Sequence, residues 1–361
     1  MSQQIGANST RPAVREVADM RSDTVTRPSA AMLEAMVTAE VGDDGFADDP
    51  TLAKLEQKVA DLLGKETAMF VPSGTMSNQM AIALHTQPGD LVLCHGRSHI
   101  FSHEFGGAAA ISGVTLIPFD DGSPLPPDAI IHETLGLVER GRSAPFGLLC
   151  LENTHNDCGG VVLDQARVLD LAGRLAPAGV PLHLDGARLF NAATSAGVSV
   201  KELAEPFETV SVCMSKGLGA PAGSLLAMPA RFRPRARRVR RYLGGMMRQT
   251  GVFAAAALYA LENHVDGLAD DHRRARQLGA VLAELPGVEV VSPHSNLVWF
   301  RLAEGHPLYG KLEDGVVDRL RAEGVWLTGD GVLFRAVTHR DVTDSHLERA
   351  VTALRRLLSA G

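Results

Sequence analysis

The chain has 361 residues, enough for about two domains, of which 45% are apolar, 21% charged and 5% aromatic. That balance excludes a wholly disordered chain, a collagen and a disulfide-stapled miniprotein. Lysine and arginine number 35 against 42 acidic residues, and a net charge of −7 does not suit a protein that coats nucleic acid.

The first 19 residues are polar and lack an apolar run, so they read as a disordered N-terminal extension and not as a signal peptide. Helical spacing follows over about 30–39 and 52–63. Between them DDGFADDP lacks the glutamate that closes a calcium loop and reads as a solvated turn or helix cap. AMFVPSG reads as a buried strand, and TMSNQMAIALHT as the helix that leaves it. DLVLC, GVTLIPF, GLLCLEN, PLHLD, TVSVCMS and GSLLAMP read as further strands, with helices such as 165–176 and 200–204 between them. Strand alternating with helix predicts a mostly parallel sheet covered on both faces, with its chemistry past the C-terminal strand ends. RFRPRARRVRRY carries seven arginines from Arg231 to Arg241 and reads as a solvated or interface helix, with nucleic-acid binding as the rival. The Ala-rich helix GVFAAAALYALENHV leads out of this layer. Beyond it a polar helix, VEVV, NLVWFRL, a helix, VWLT, VLFRAV and a last helix predict a smaller domain. The expected division is an extension over 1–19, a large domain over 20–265 and a small one over 266–361. No run is apolar enough to span a membrane. Cys94, Cys150, Cys158 and Cys213 form no CxxC pair and read as reduced thiols of a cytoplasmic protein.

Three strand ends carry polar groups. FVPSGTMSNQ runs a strand into Ser73, Gly74 and Thr75 at a helix start, where N–H groups and hydroxyls favour an anion. LHLDGARLFNA closes an apolar strand on Asp185, a carboxylate that needs a partner if buried. VSVCMSKGLGAPAG closes one on Lys216 before a Gly-rich turn, and a desolvated lysine can form a Schiff base. Singly, each has a plain reading: a joint without ligand, a cap or an ion pair between Asp185 and Arg188, and a surface lysine. Together, a phosphate cradle, a carboxylate and a lysine supply what pyridoxal 5'-phosphate needs. His95, His99 and His103 would share a face on a helix, but their segment reads as a loop, and no metal site is expected.

The segments MRSDTVTRPSAAMLEAM, VGDD, FVPSGTMSNQ, SHIFSHEFGGAA, CLENTHNDCGGVVL, LHLDGARLFNAA, SVCMSKGLGAPAGSLL, GGMMRQTGVFAAAALYALENHV and FRAVTHRDV stand in this order over about 20–342. In them the sequence resembles the low-specificity L-threonine aldolases, in the β-eliminating-lyase group of fold type I pyridoxal enzymes. The resemblance implies an α/β fold like that of aspartate aminotransferase: a mostly parallel seven-stranded sheet with a smaller C-terminal α+β domain. It implies Lys216 as the Schiff-base lysine and His99 as a base stacked on the cofactor. It implies Ser73, Gly74 and Thr75 on the phosphate, Asp185 on the pyridine nitrogen and Arg188 near the ring oxygen and the substrate. Arg335 would take the substrate carboxylate with help from Ser22. Arg248 and Arg241 would reach the phosphate region across a subunit interface, while Glu104, Glu152, Asn153 and His155 shape the pocket. The implied reaction is retro-aldol cleavage of L-threonine, L-allo-threonine and related β-hydroxy-α-amino acids to glycine and an aldehyde, in a homodimer or homotetramer with shared sites. A phenylserine-type aldolase, a transaldolase and a β-eliminating lyase are the alternatives on the same scaffold. Two departures stand out. Phe46-Ala47 replaces the family's frequent Tyr-Gly. GRSAPFGLLC lacks the histidine that usually precedes the CLEN strand, with His132 the nearest substitute.

Overall fold

The computed structural model describes residues 17–359. Its first strand, β1 (Ala18–Asp19), pairs in parallel with Val325–Trp326, near the other end of the chain. Ala18 and Asp19 therefore do not belong to a loose extension, and Ala18 is buried with Met20 in the C-terminal core. Residues 1–16 of the expected extension lie outside the described residues.

The large sheet contains β2 (Thr67–Val71), β3 (Leu91–His95), β4 (Thr115–Phe119), β5 (Phe146–Glu152), β6 (Leu182–Gly186), β7 (Thr209–Cys213) and β8 (Ser224–Met228). Their order is β2-β8-β7-β6-β5-β3-β4, and only β8 runs against the rest. Runs such as TVSVC are buried along their whole length, as strands covered on both faces must be. The C-terminal ends of β2, β3, β5, β6 and β7 consequently share one edge. The helix Pro50–Leu63 covers the sheet with Leu52, Leu55, Val59 and Leu63, spaced at helical period, and stops at Gly64 in the left-handed region. The helix Gly251–Asn263 buries Ala254, Ala256, Ala257 and Ala260, small side chains that let it lie close against Ala30–Val37 and Pro50–Leu63.

The second sheet contains β9 (Val288–Val290), β10 (Leu297–Leu302), β12 (Thr328–Gly329) and β13 (Leu333–Val337), all antiparallel in the order β12-β13-β10-β9. VWLT is not one strand. Its Val325–Trp326, β11, pairs with β1, while Thr328–Gly329 turns to β13. Phe300 stacks on Phe334 at 5.2 Å between ring centroids, in a core shared with Leu320 and Leu354. The segment after β3, read as a loop, winds into a short helix at His99–Ser102 and a π-type turn at Ala108–Ser112. All four cysteines are free thiols, and among the described residues no helix is long and apolar enough to cross a membrane.

The acidic turn proves to be a cap shared by two helices. Buried Asp49 accepts Leu52 N–H at 2.9 Å through Oδ1 and Gly251 N–H at 2.7 Å through Oδ2. One carboxylate thus satisfies first-turn donors of both helices. Asp49→Ala should destabilise the protein by about 2–3 kcal/mol, and Asp49→Asn, which keeps one acceptor, by roughly half of that, in urea unfolding followed by circular dichroism.

Candidate active site

Polar groups converge on the edge where β2, β3, β5, β6 and β7 end. Asp185 stands near the end of β6, almost wholly buried. It accepts Asn78 Nδ2 at 2.7 Å and the Ala187 N–H at 3.1 Å. Burial works against its charge, but the nearby cations His99 and Lys216 and the Asn78 hydrogen bond win and hold the carboxyl below its ordinary range. The expected alternative, an ion pair between Asp185 and Arg188, is not formed: Arg188 turns to Asp23.

His99 begins the short helix after β3, its ring about one-third exposed. Its Nδ1 lies 2.8 Å from Glu104 Oε1, and Glu104 also accepts Asn78 Nδ2 at 2.9 Å and Gln79 Nε2 at 2.6 Å. Burial disfavours the imidazolium, yet the Glu104 hydrogen bond and the charge of Asp185 raise the His99 pKa above its ordinary value. Glu152, at the end of β5, accepts His99 N–H at 2.7 Å and Asn156 N–H at 2.9 Å. Burial and the adjacent Asp185 push its carboxyl up to about 7. Asn153 is buried behind it, its Oδ1 facing Leu163 N–H.

A cationic pole faces this anionic one. Arg188 binds Asp23 through Nε at 2.7 Å and Nη2 at 2.8 Å, a buried bidentate pair. Arg335 on β13 donates Nη1 to Asn156 Oδ1 at 3.0 Å, and Arg188 Nη1 reaches the same oxygen at 3.2 Å. Arg335 Nη2 meets Arg21 O at 3.1 Å, while its buried Nε has no hydrogen-bond partner among the described residues. Burial and the neighbouring Arg188 charge lower the Arg335 pKa.

Lys216 lies three residues beyond β7, half-buried. Its carbonyl accepts Thr26 Oγ1 at 2.8 Å and Gly219 N–H at 2.9 Å. Gly219 has φ +78°, and a Cβ there would sit 2.8 Å from Arg340 Nη1, so the turn that presents the lysine needs glycine. Gly74 is in a tighter place than most residues, since a Cβ there would meet Cys213 Sγ at 3.0 Å. Ser73 caps the helix Gly74–His85 by accepting Met76 N–H, which leaves its hydroxyl hydrogen and the first-turn N–H groups of Gly74 and Thr75 without intrahelical partners.

Among the described residues, the side chains of the other expected residues form no hydrogen bond with these groups. Ser22 caps the turn Asp23–Val25, so its clear contribution is to aim Asp23. Arg241 is exposed, and Arg248 is exposed and paired with Asp43. Both line a surface pocket with Gly45, Phe46 and Met246. His132 is exposed on the helix Asp128–Glu139, which ends before β5 begins at the opposite edge of the sheet from Glu152. His155 is fully buried, and among the described residues neither ring nitrogen is hydrogen-bonded. Sequence reasoning missed Asp23, Asn78 and Asn156. MRSDTVTR and THND, both inside the motifs, were the signals that could have raised Asp23 and Asn156.

The model of the beta-eliminating lyase family matches residues 19–304. A probable low-specificity L-threonine aldolase of Arabidopsis thaliana is 38% identical over 96% of this chain and 98% of its own length. The low specificity L-threonine aldolase of Escherichia coli O157:H7 is 38% identical over 94% and 99%. The solved threonine aldolase of Leishmania major superposes with a TM-score of 0.80 at 21% identity, over 94% of this chain and 99% of that one. A putative L-allo-threonine aldolase of Listeria monocytogenes gives 0.77 at 23%, over 91% and 94%. These two share its fold. On the family match and on the identity to curated relatives along nearly their whole length, the chain belongs to the beta-eliminating lyase family.

Proposed function

We propose that this chain is a pyridoxal 5'-phosphate-dependent aldehyde-lyase that cleaves L-threonine, L-allo-threonine and related β-hydroxy-α-amino acids to glycine and an aldehyde. The observation that carries the reading is the pair of guanidiniums on one amide oxygen. Arg188 is neutralised by Asp23, but Arg335 has no ion-pair partner among the described residues. A carboxylate is what this pole lacks, and the α-carboxylate of an amino acid supplies it with bidentate geometry. The names of the curated relatives support the same substrate class.

The residues fit the cofactor. Buried, ionised Asp185 is the partner a protonated ring nitrogen needs. Gly74 and Thr75 offer helix-terminal N–H groups, and Ser73 its hydroxyl, to a phosphate. Lys216 offers a primary amine to an aldehyde. When bound, pyridoxal phosphate supplies an electron sink for the pair released at the substrate's Cα. The chain's own groups do the rest. Arg335 and Arg188 fix the carboxylate and so the rotation about Cα, which decides the bond that breaks. Glu104 accepts from His99 Nδ1, so that nitrogen carries the hydrogen and Nε2 keeps its lone pair. His99 Nε2 takes the β-hydroxyl proton, and Glu104 stabilises the resulting imidazolium.

A second copy of the chain completes the assembly, as a homodimer or a dimer of dimers. Phe46 is 81% exposed beside Arg241 and Arg248, an apolar and cationic surface suited to burial against a partner. In that arrangement the two arginines serve the partner's phosphate region.

Purified enzyme with pyridoxal phosphate should release acetaldehyde and glycine from L-threonine, and Lys216→Ala should abolish turnover. Pyruvate and ammonia from L-serine, without aldehyde from threonine, would instead mark a β-eliminating lyase. His99 acts as a base only when unprotonated, so kcat/KM should rise with pH through its elevated pKa. Removing the Glu104 charge lowers that pKa, so Glu104→Gln should move the rising limb to lower pH and reduce kcat by about 10²-fold. Mixed oligomers of Lys216→Ala and Arg248→Ala should regain activity above the mean of the two parents, because one site in each mixed dimer escapes both lesions.

A further inference from the structure

The loop after β5 holds a buried imidazole that the proposed chemistry does not use. His155 is fully buried and neither nitrogen has a hydrogen-bond partner among the described residues. Leaving such a group unpaired is unfavourable. Its neighbours are metal-binding donors. His95, from the end of β3, stands edge-to-face against it with ring centroids 4.7 Å apart. Cys158 places Sγ 3.7 Å from His95 Nε2, and Asp120 Oδ1 lies 3.5 Å from the same nitrogen. One donor atom each from His95, His155 and Cys158 falls within 4.8 Å of the others. A four-coordinate ion with metal–nitrogen bonds of about 2.0–2.1 Å and a metal–sulfur bond of about 2.3 Å needs donors spaced in this range after a small contraction.

We propose that His95, His155 and Cys158 bind a borderline-soft divalent cation of the zinc class, with Asp120 or water as the fourth ligand. Two imidazoles and a thiolate select such an ion over magnesium or calcium, which take oxygen donors. Binding displaces the thiol proton of Cys158 to solvent, and the charge of the ion drives that loss. One local rearrangement accompanies it. His95 Nδ1 accepts the Arg97 N–H at 3.0 Å, so in the neutral ring Nε2 carries the hydrogen. Coordination through Nε2 moves that hydrogen to Nδ1, and the peptide between Gly96 and exposed Arg97 turns away. Arg97 also holds Asp120 at 3.2 Å, so the same movement frees the carboxylate.

The site would act on the substrate pole. Asn156 sits between His155 and Cys158, and its side-chain oxygen is the one shared by Arg188 and Arg335. An ion on this loop fixes the residue that spaces the two arginines. The histidine pattern in the sequence pointed elsewhere, because His99 turns to Glu104 and His103 to Asp157.

Co²⁺ added to the metal-stripped holoenzyme should give, at one ion per chain, a tetrahedral ligand-field spectrum with a thiolate-to-cobalt charge-transfer band, and Zn²⁺ should displace it. Cys158→Ser should lose the band, and His95→Gln should weaken cobalt binding by about tenfold or more. Circular dichroism and cofactor absorbance report whether each variant is folded, independently of turnover. Absence of saturable binding, a band that persists in Cys158→Ser, or unchanged affinity in folded His95→Gln would each overturn the proposal. None of these readouts depends on which amino acid the enzyme cleaves.

Discussion

The fold converges on the ion pair between Asp23 and Arg188. Both carboxylate oxygens meet the guanidinium at 2.7 and 2.8 Å, with the two residues 0% and 6% exposed. Asn296 Nδ2 adds a third donor to Asp23 at 3.2 Å. Burial alone would raise the Asp23 pKa, but Arg188 and the more distant Lys216 charge carry it well below the ordinary carboxylate range. Its stabilising contribution is therefore present above the unfolded-state carboxyl pKa and is lost only as pH falls through the depressed folded value. Removing one partner of such a pair strands a buried charge, at a cost of about 3–5 kcal/mol. The geometry also fixes a three-way junction. Asp23 belongs to the strap that follows β1, Arg188 follows β6 of the large sheet, and Asn296 precedes β10 of the small one. The same strap holds the Lys216 turn through Thr26 and Arg335 through the Arg21 carbonyl. Its position therefore sets the distance between Lys216, the candidate Schiff-base lysine, and Arg188 and Arg335, the arginines proposed for the substrate carboxylate.

Across the site from that pair, Asn78 does for the anions what Asp23 does for the cations. Both hydrogens of its amide are taken, one by Glu104 and one by Asp185, so its oxygen must face His183 Nε2 at 3.1 Å. His183 then donates from Nε2 and accepts the Thr209 hydroxyl at Nδ1, 2.9 Å away. Burial keeps this imidazole neutral, its pKa lowered to about 4. A neutral wire thus separates two carboxylates that would otherwise repel, and leaves Glu152 to relieve the remaining repulsion by taking a proton near neutrality.

What the sequence displayed follows from how local each determinant is. Apolar runs that lead into Ser73, Asp185 and Lys216 announce themselves, because an apolar run that gives way to a polar residue is a pattern within ten residues or so. Partners are not local. Arg188 lies three residues from Asp185, yet its partner is Asp23, since the turn after β6 sends the two side chains apart. Asn78 and Asn156 are neutral amides whose roles depend entirely on what surrounds them. VWLT has the composition of one strand, but nothing in it says that its first half belongs with β1 and its second with β13. Ala18 and Met20 were unreadable for the same reason: two or three residues acquire a core only when Val325 is brought beside them.

The arginine-rich helix, Arg233–Tyr242, illustrates the difference between composition and placement. Arg233 is taken by Glu56, Thr67 and the Ala68 carbonyl, Arg235 by the carbonyls of Leu84 and Thr86, and Arg237 by that of Gly45. Arg240 is buried between Asp44 and the Phe70 carbonyl, and Arg231 pairs with Glu208. These guanidiniums terminate strand and helix ends within their own chain, so little of the run is left to meet a phosphate backbone. Arg238 and Arg241 are left facing outward, and Arg241 lies next to Arg248 and the exposed ring of Phe46. A nucleic-acid surface would want the charge spread along the helix. Charge gathered at one end, around an apolar side chain, is what a subunit interface with an anionic ligand near its rim would use.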